Sequence, residues 1–244
     1  MQVTGNTILI TGGGTGIGLG LAGKFIEDGN TVIICGRRED ALRKAQERYP
    51  GLILRTCDVS EEKQRTELFH WSTERYPGLN VLVNNAGIQR RLDLLAGQPW
   101  AGIHEEITIN LEAPIHLSCL FAGHLRSAAS PAIINIGSGL AFVAMASAPV
   151  YCATKAALHS FTVSLRHQLS KTPVSVIEIL PPAVQTDLGG AGIHSRGTPL
   201  DEFTTAAYER LKSGDLEFGY GFSEKTRNAS RAEIDETYRR MNPL

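Results

Sequence analysis

Short runs of β-branched and aliphatic residues recur along the chain, and each is followed by a longer stretch whose apolar positions return every three or four residues. The runs at 7–11, 31–35, 52–57, 80–84, 132–136 and 174–180 read as buried strands. Between them lie amphipathic segments; in the first, Ile17, Leu21 and Phe25 with Ala22 and Ile26 form one apolar face, and Gly29 stands where a helix end favours a left-handed residue. Strand, helix and strand at this spacing predict right-handed βαβ crossovers. Six such units give an α/β fold, a doubly wound parallel sheet with helices on both faces, whose ligands bind beyond the carboxyl ends of the strands.

From Asp187 the pattern changes. Gly189, Gly190, Gly192 and Gly197 crowd a short span, followed by a helical pattern through Leu211 and another over 229–241, and no last strand is predicted. Clustered glycines permit hinge motion, so a mobile substrate lid is expected near 186–213. No repeat, linker or low-complexity run divides the chain, which reads as one domain over 1–244.

Composition narrows the function classes. The chain is 42% hydrophobic and 20% charged with a formal net charge of -1, so the field of a nucleic-acid binder is absent. No stretch approaches the ~20 apolar residues of a membrane span, and residues 1–6 lead into a strand without a signal-peptide core, which sets a cytoplasmic expectation. Cys35, Cys57, Cys119 and Cys152 stand singly in apolar runs, with no Cys-x-x-Cys pair and no histidine at zinc spacing. They are expected to be reduced and buried, and no metal site is expected.

Chemistry enters at the first strand-to-helix junction, Thr11-Gly12-Gly13-Gly14-Thr15-Gly16-Ile17-Gly18. Glycines let the backbone approach a pyrophosphate, whose charge the helix amides then hold. A literal Gly-x-Gly-x-x-Gly also occurs at Gly18, Gly20 and Gly23, but those positions fall inside the helix, where Gly20 and Gly23 read as close helix-to-sheet packing. Tyr151 and Lys155 are one helical turn apart and share a face. Ser138 lies just beyond the strand ending at Ile136, on the edge of the sheet where the crevice belongs. Reducing a ketone by hydride creates an alkoxide, so such a site needs a proton donor and hydrogen-bond donors where that charge develops. A free phenol titrates near ~10, and a neighbouring ammonium favours its ionised form.

Taken together, Thr11 to Gly18, the turn Asn84-Asn85-Ala86-Gly87, Asn110, Ser138, and Tyr151 with Lys155 resemble the short-chain dehydrogenase/reductase family over nearly the whole chain. The resemblance implies a Rossmann-type domain with Tyr151 as acid and base, Lys155 on the nicotinamide ribose, Ser138 polarising the carbonyl and Asn110 anchoring a proton-relay water. It implies a cofactor site of Gly12, Gly14, Thr15, Gly16, Ile17, Gly18, Asp58, Val59, Asn85, Ala86, Gly87, Tyr151, Lys155, Pro181, Val184 and Thr186. Asp58 is equally well read as a helix cap with Ser60. A homodimer or homotetramer packed through the helices around Asn110 and Tyr151 is implied as well.

Cofactor choice is read at the end of the second strand, where an NAD enzyme places an acid on the ribose. Here Gly36 is followed by Arg37 and Arg38, whose guanidinium groups suit the extra phosphate of NADP(H). The alternative is that both arginines merely open a helix and Glu39 or Asp40 reaches the ribose. The expected function is therefore NADPH-dependent reduction of a ketone or aldehyde, reversibly; the competing class is a silent NADP(H)-binding regulator. The stretches 29–39, 138–160 and 180–186 further resemble a bacterial subgroup labelled with D-alanine esterification of teichoic acids, a label that records an association and not a reaction. The family usually has Pro-Gly where this chain has Pro181-Pro182, and proline lacks glycine's freedom. The substrate is expected to be a small molecule with a hydrophobic substituent, met by 186–198 and by Leu140, Phe142 and Met145.

Overall fold

A computed structural model of the protein describes residues 1–97 and 99–243. In chain order the elements are β1 (Thr7–Thr11), α1 (Gly16–Glu27), β2 (Thr31–Gly36), α2 (Glu39–Arg48), β3 (Ile53–Thr56), α3 (Glu62–Arg75) and β4 (Leu79–Asn84). A short turn, Leu94–Ala96, precedes α4 (Trp100–Ile107), a wide π turn (Thr108–Glu112) and α5 (Ala113–Leu125). The chain continues through β5 (Ala132–Ile136), α6 (Pro149–Gln168), β6 (Ser175–Leu180), α7 (Leu200–Ser213), β7 (Glu217–Gly219), α8 (Phe222–Arg227) and α9 (Arg231–Met241).

The strands form one parallel sheet in the order β3-β2-β1-β4-β5-β6-β7. Alternate residues of each strand feed opposite faces. Ile8, Ile10, Ile34, Val83 and Ile134 meet Leu21 and Phe25 of α1 and Phe203 of α7 on one side. Leu9, Ile33, Leu82 and Ile133 meet Leu68 of α3, Leu117 and Phe121 of α5 and Leu165 of α6 on the other. Because β1 has β2 on one edge and β4 on the other, the winding reverses there and opens a crevice at the carboxyl ends.

The doubly wound sheet was legible from the pattern, but four expectations need correction. A seventh strand exists: β7 is three residues long and pairs with β6 alone, too short for a period-2 signal. Gly20 and Gly23 do not pack on the sheet. A Cβ at Gly20 would meet Thr204 of α7 at 2.6 Å, and one at Gly23 the Tyr49 hydroxyl at 2.5 Å, so they admit a second helix and the end of α2. Cys119 is exposed while the other three cysteines are buried, because its position on α5 faces away from the sheet. The last helix begins at Arg231, two residues later than its periodicity suggests, where Ser230 and Glu233 form a capping box. Among the described residues no helix is long and apolar enough to cross a membrane.

Candidate active site

The loop from β1 to α1 turns back on itself with Gly12 at φ 64° and Gly16 at φ 55°, a region that favours glycine. It is locked from behind by the turn after β4. Asn85 Nδ2 donates to the carbonyls of Thr11 (2.8 Å) and Gly12 (3.2 Å), and Thr11 Oγ1 accepts from the amides of Asn85 and Ala86. The first turn of α1 carries no acid, and its N-cap Thr15 makes no side-chain cap. Its amides are thereby left for an anion, which is the test a pyrophosphate must pass.

From this loop a cleft of about 1000 Å³ runs along the carboxyl ends of the strands to Ser138, Tyr151 and Lys155. Its outer end is walled by Gly36, Arg37 and Arg38 and by Asp58 and Val59. Glu39 pairs with Arg43 at 2.5 Å, one turn along α2, and neither it nor Asp40 is part of the wall, so two guanidinium groups face the cleft here beside the single carboxylate of Asp58. Arg37 bonds Glu105 of α4 at 2.8 Å, and Arg90 bonds the same carboxylate at 2.5 Å. Arg37 foremost, with Arg90, holds the Glu105 carboxyl below its ordinary range. Asp58 accepts from Ser60 through both its amide and hydroxyl, while the residue capping α3 is Glu61.

At the inner end, Tyr151 and Lys155 leave α6 on one face and are both buried. Burial pushes the phenol up to about 12, with the nearby Ser138 hydroxyl acting in the opposite direction. Burial also draws the Lys155 ammonium down to about 8, against the carboxylate of Glu178, which raises it. Lys155 Nζ lies 5.7 Å from the centre of the Tyr151 ring and donates to the Ile136 carbonyl at 2.8 Å. Ser138, extended at the end of β5, accepts from the Leu140 amide at 3.1 Å.

Asn110 sits in the π turn, fully occupied by structure. Its Oδ1 accepts from the Ile88 amide at 2.9 Å, and its Nδ2 donates to the Ile88 carbonyl at 2.8 Å and to Thr154 Oγ1 at 3.3 Å. The side chain thus ties the π turn to the loop after β4 and to α6.

Gly12, Gly14, Thr15, Gly16, Ile17, Asn85, Ala86, Gly87, Pro181 and Thr186 all line the cleft, whereas two expected cofactor residues stand behind its wall. A Cβ at Gly18 would come within 2.5 Å of Asn85 Nδ2, so that glycine serves the lock, and Val184 is buried in the core while its backbone pairs with Thr198. Leu140, Phe142 and Met145 are also away from the wall; the Phe142 ring meets His159 edge-on at 4.8 Å. Sequence reasoning missed Gln89 and Arg90, which do line it; His194, inside the expected substrate segment 186–198, lines it as well, with its Nε2 3.1 Å from Gln89 Oε1. It missed Arg65 too, a fully buried guanidinium that donates to the Val59 carbonyl at 2.7 Å and pairs with Glu112 of the π turn at 2.7 Å. A position just past the carboxyl end of β4 was the available signal for Gln89 and Arg90.

The expected lid divides. Leu200–Ser213 is α7, packed through Phe203, Ala207, Tyr208 and Leu211. The stretch before it is a loop pinned at its base, where the Thr198 amide donates to Ala183 at 2.8 Å and the Gln185 amide to Thr198 at 2.9 Å.

A family model described as short chain dehydrogenase matches residues 6–196. An uncharacterized oxidoreductase, DltE, from Bacillus subtilis (strain 168) is 46% identical, over 99% of this chain and 98% of its own length. An L-fucose dehydrogenase from Bos taurus is 32% identical over 77% of this chain and 69% of its own. A short chain dehydrogenase from Burkholderia cenocepacia J2315, solved in complex with NADP, superimposes with a TM-score of 0.83 at 25% identity, covering 99% of each chain.

Proposed function

The chain belongs to the short-chain dehydrogenase family of oxidoreductases, and from that premise we propose that it reduces a ketone or aldehyde to the alcohol, reversibly, with NADP(H). The observation that carries this reading is the continuity of one cleft from the uncapped first turn of α1, past two arginines, to the buried Tyr151 and Lys155. The amides of Gly14 to Ile17 would hold the pyrophosphate, Arg37 and Arg38 the ribose phosphate, Asp58 and Val59 the adenine, Lys155 the nicotinamide ribose, and Pro181 and Thr186 the carboxamide. When bound, the nicotinamide supplies the hydride.

The protein's own groups then handle the proton. Tyr151 Oη gives its proton to the carbonyl oxygen as negative charge develops there, and Ser138 Oγ donates a hydrogen bond to that oxygen. A phenol held near 12 is protonated at neutral pH, the form that acts as an acid in the direction of reduction. Lys155, cationic below about 8, stabilises the phenolate left behind. The loop from Thr186 to Thr198, with its His194, closes over substrate, and Gln89 and Arg90 join it in choosing the substituent. A homodimer or homotetramer packed through α5 and α6 completes the proposal, and sedimentation would measure it.

The test is a panel of ketones, aldehydes and alcohols followed by NADPH absorbance. Turnover of any carbonyl compound that vanishes in Tyr151→Phe supports the enzyme. Tight NADPH binding without turnover across the panel would instead support a regulator that senses the cofactor pool.

A further inference from the structure

Beside the lysine lies a buried charge that the proton-transfer scheme does not use. Glu178 stands in the middle of β6, fully buried, flanked along the strand by Val176, Ile177, Ile179 and Leu180. Its Oε2 lies 2.7 Å from His159 Nδ1 on α6. Its Oε1 is buried without a hydrogen-bond partner among the described residues and is turned to Gly137, where a Cβ would come within 2.6 Å of it. Gly137 directly follows Ile136, the residue whose carbonyl receives the Lys155 ammonium. Tyr151, Lys155 and His159 are spaced four residues apart on one face of α6, and the sheet places Glu178 alongside that row. Burying a carboxylate with one oxygen unsatisfied is costly, and an apolar side chain of similar volume would serve packing better.

We propose that Glu178 is a positioning residue for Lys155: its buried carboxylate is the counter-charge that keeps the ammonium protonated, and His159 clamps that carboxylate in place. The inference deepens the reading of Tyr151 and Lys155 as a proton-transfer pair and rests on it. The surrounding charges agree. Burial draws Lys155 down, and Glu178 is the group that raises it. His159 is raised, first by its bond to Glu178 and further by the charges of Glu178 and Glu217, with burial and Arg166 opposing. Glu217 of β7, close enough to complete a three-ligand cluster with His159 and Glu178, is instead balanced by Arg166 of α6 at 3.2 Å and Arg227 of α8 at 3.7 Å. From α4, Glu106 acts on Tyr151 and Cys152.

The experiment follows the ionisation of Lys155 directly, by NMR of protein whose lysines are isotope-labelled at Cε. The chain has seven lysines, few enough for Lys155→Arg to identify the signal. In the unsubstituted protein that signal is expected to titrate near about 8, with a smaller inflection where the His159 ring signals titrate. Glu178→Gln keeps the shape and removes the charge, and should lower the Lys155 midpoint by about one pH unit. Glu178→Asp keeps the charge and should restore most of that difference. A midpoint unmoved by Glu178→Gln overturns the proposal. So does the absence of the His159 inflection in the unsubstituted protein, a measurement that requires no variant to fold. Carbonyl turnover with NADPH, compared between the unsubstituted protein and Tyr151→Phe, tests the underlying reading apart from this one: turnover unchanged by that substitution defeats the proton-transfer pair, while the lysine titration still decides the role of Glu178.

Discussion

At the outer end of the cleft Arg37 keeps 49% of its side chain in solvent, while at the inner end Tyr151 and Lys155 are buried together with Asn110 and Glu178. The outer end presents charge to water through guanidinium groups and helix amides. The inner end withdraws its titratable groups from water, and their proton affinities move in consequence. Exposed charge recognises an anion but is screened and exchangeable; buried charge is expensive to keep and therefore responsive to each neighbour. One cleft thus joins a region suited to binding with a region suited to moving protons, and substitutions at the two ends should fail in different ways.

The largest effect is expected at the buried end. Tyr151→Phe removes the phenolic proton and keeps the ring, so turnover should fall by ~10²-fold or more with NADPH affinity preserved. Steady-state kinetics beside a binding titration measures the split, and near-normal turnover would remove the phenol from its role. At the exposed end the change should appear in affinity alone. NADPH should bind more tightly than NADH by ~10-fold, and Arg37→Ala should erase most of that preference while leaving NADH nearly untouched. Glu105 occupies the same guanidinium, so Glu105→Gln should strengthen NADPH binding by roughly threefold, less than one charged hydrogen bond is worth. An unchanged preference in both variants would mean that Arg37 does not face the phosphate. The smallest effect sharpens the contrast through salt. Raising ionic strength beyond ~0.1 M should shrink the NADPH preference by less than about twofold at the exposed arginines and leave the pH midpoint of the buried pair in place. Equal sensitivity of both would mean that the ends are not electrostatically distinct.

The loop from Thr186 to Thr198 contributes residues to the same cleft and offers a mechanical form of the same comparison. Cleavage by trypsin at Arg196 should slow when NADPH and a substrate analogue are bound, because closure withdraws the loop from solvent. Equal rates with and without ligand would exclude closure.

Much of this arrangement was readable before any coordinates. Long periodic segments such as α1 and α6, and strands such as β1 and β5 that are buried on both faces, carry their pattern within a few residues. The Gly-rich loop and the pair Tyr151 and Lys155 were legible for the same reason, since each lies within a single turn. What escaped depends on distant partners. His194 meets Gln89 across 105 positions, Glu105 meets Arg37 across 68, and no local spacing encodes either contact. Asn110 was expected to anchor a proton-relay water, and no local spacing foretold its clamp on Ile88. Glu178 did leave a trace, an acid set in the middle of an otherwise apolar strand, and only the folded neighbourhood of His159 and Gly137 gives that trace a meaning.

The strand order also bears on how the chain reaches this state. β1 and β2 pair across a short helical crossover, so one edge of β1 is covered early in synthesis. Its other edge waits for β4, whose Asn80 side chain accepts from the Thr7 amide and donates to Asn6 and Ala129. Until Leu79–Asn84 leaves the ribosome, this apolar strand pair stands half open, with free amides and carbonyls along one side. Pairing across such a separation is slow because loop closure precedes any reward. The vulnerable species of this protein is therefore the nascent chain that holds β1 and β2 but not yet β4, and aggregation during expression should respond to chaperones that shield that edge more than to the stability of the finished fold.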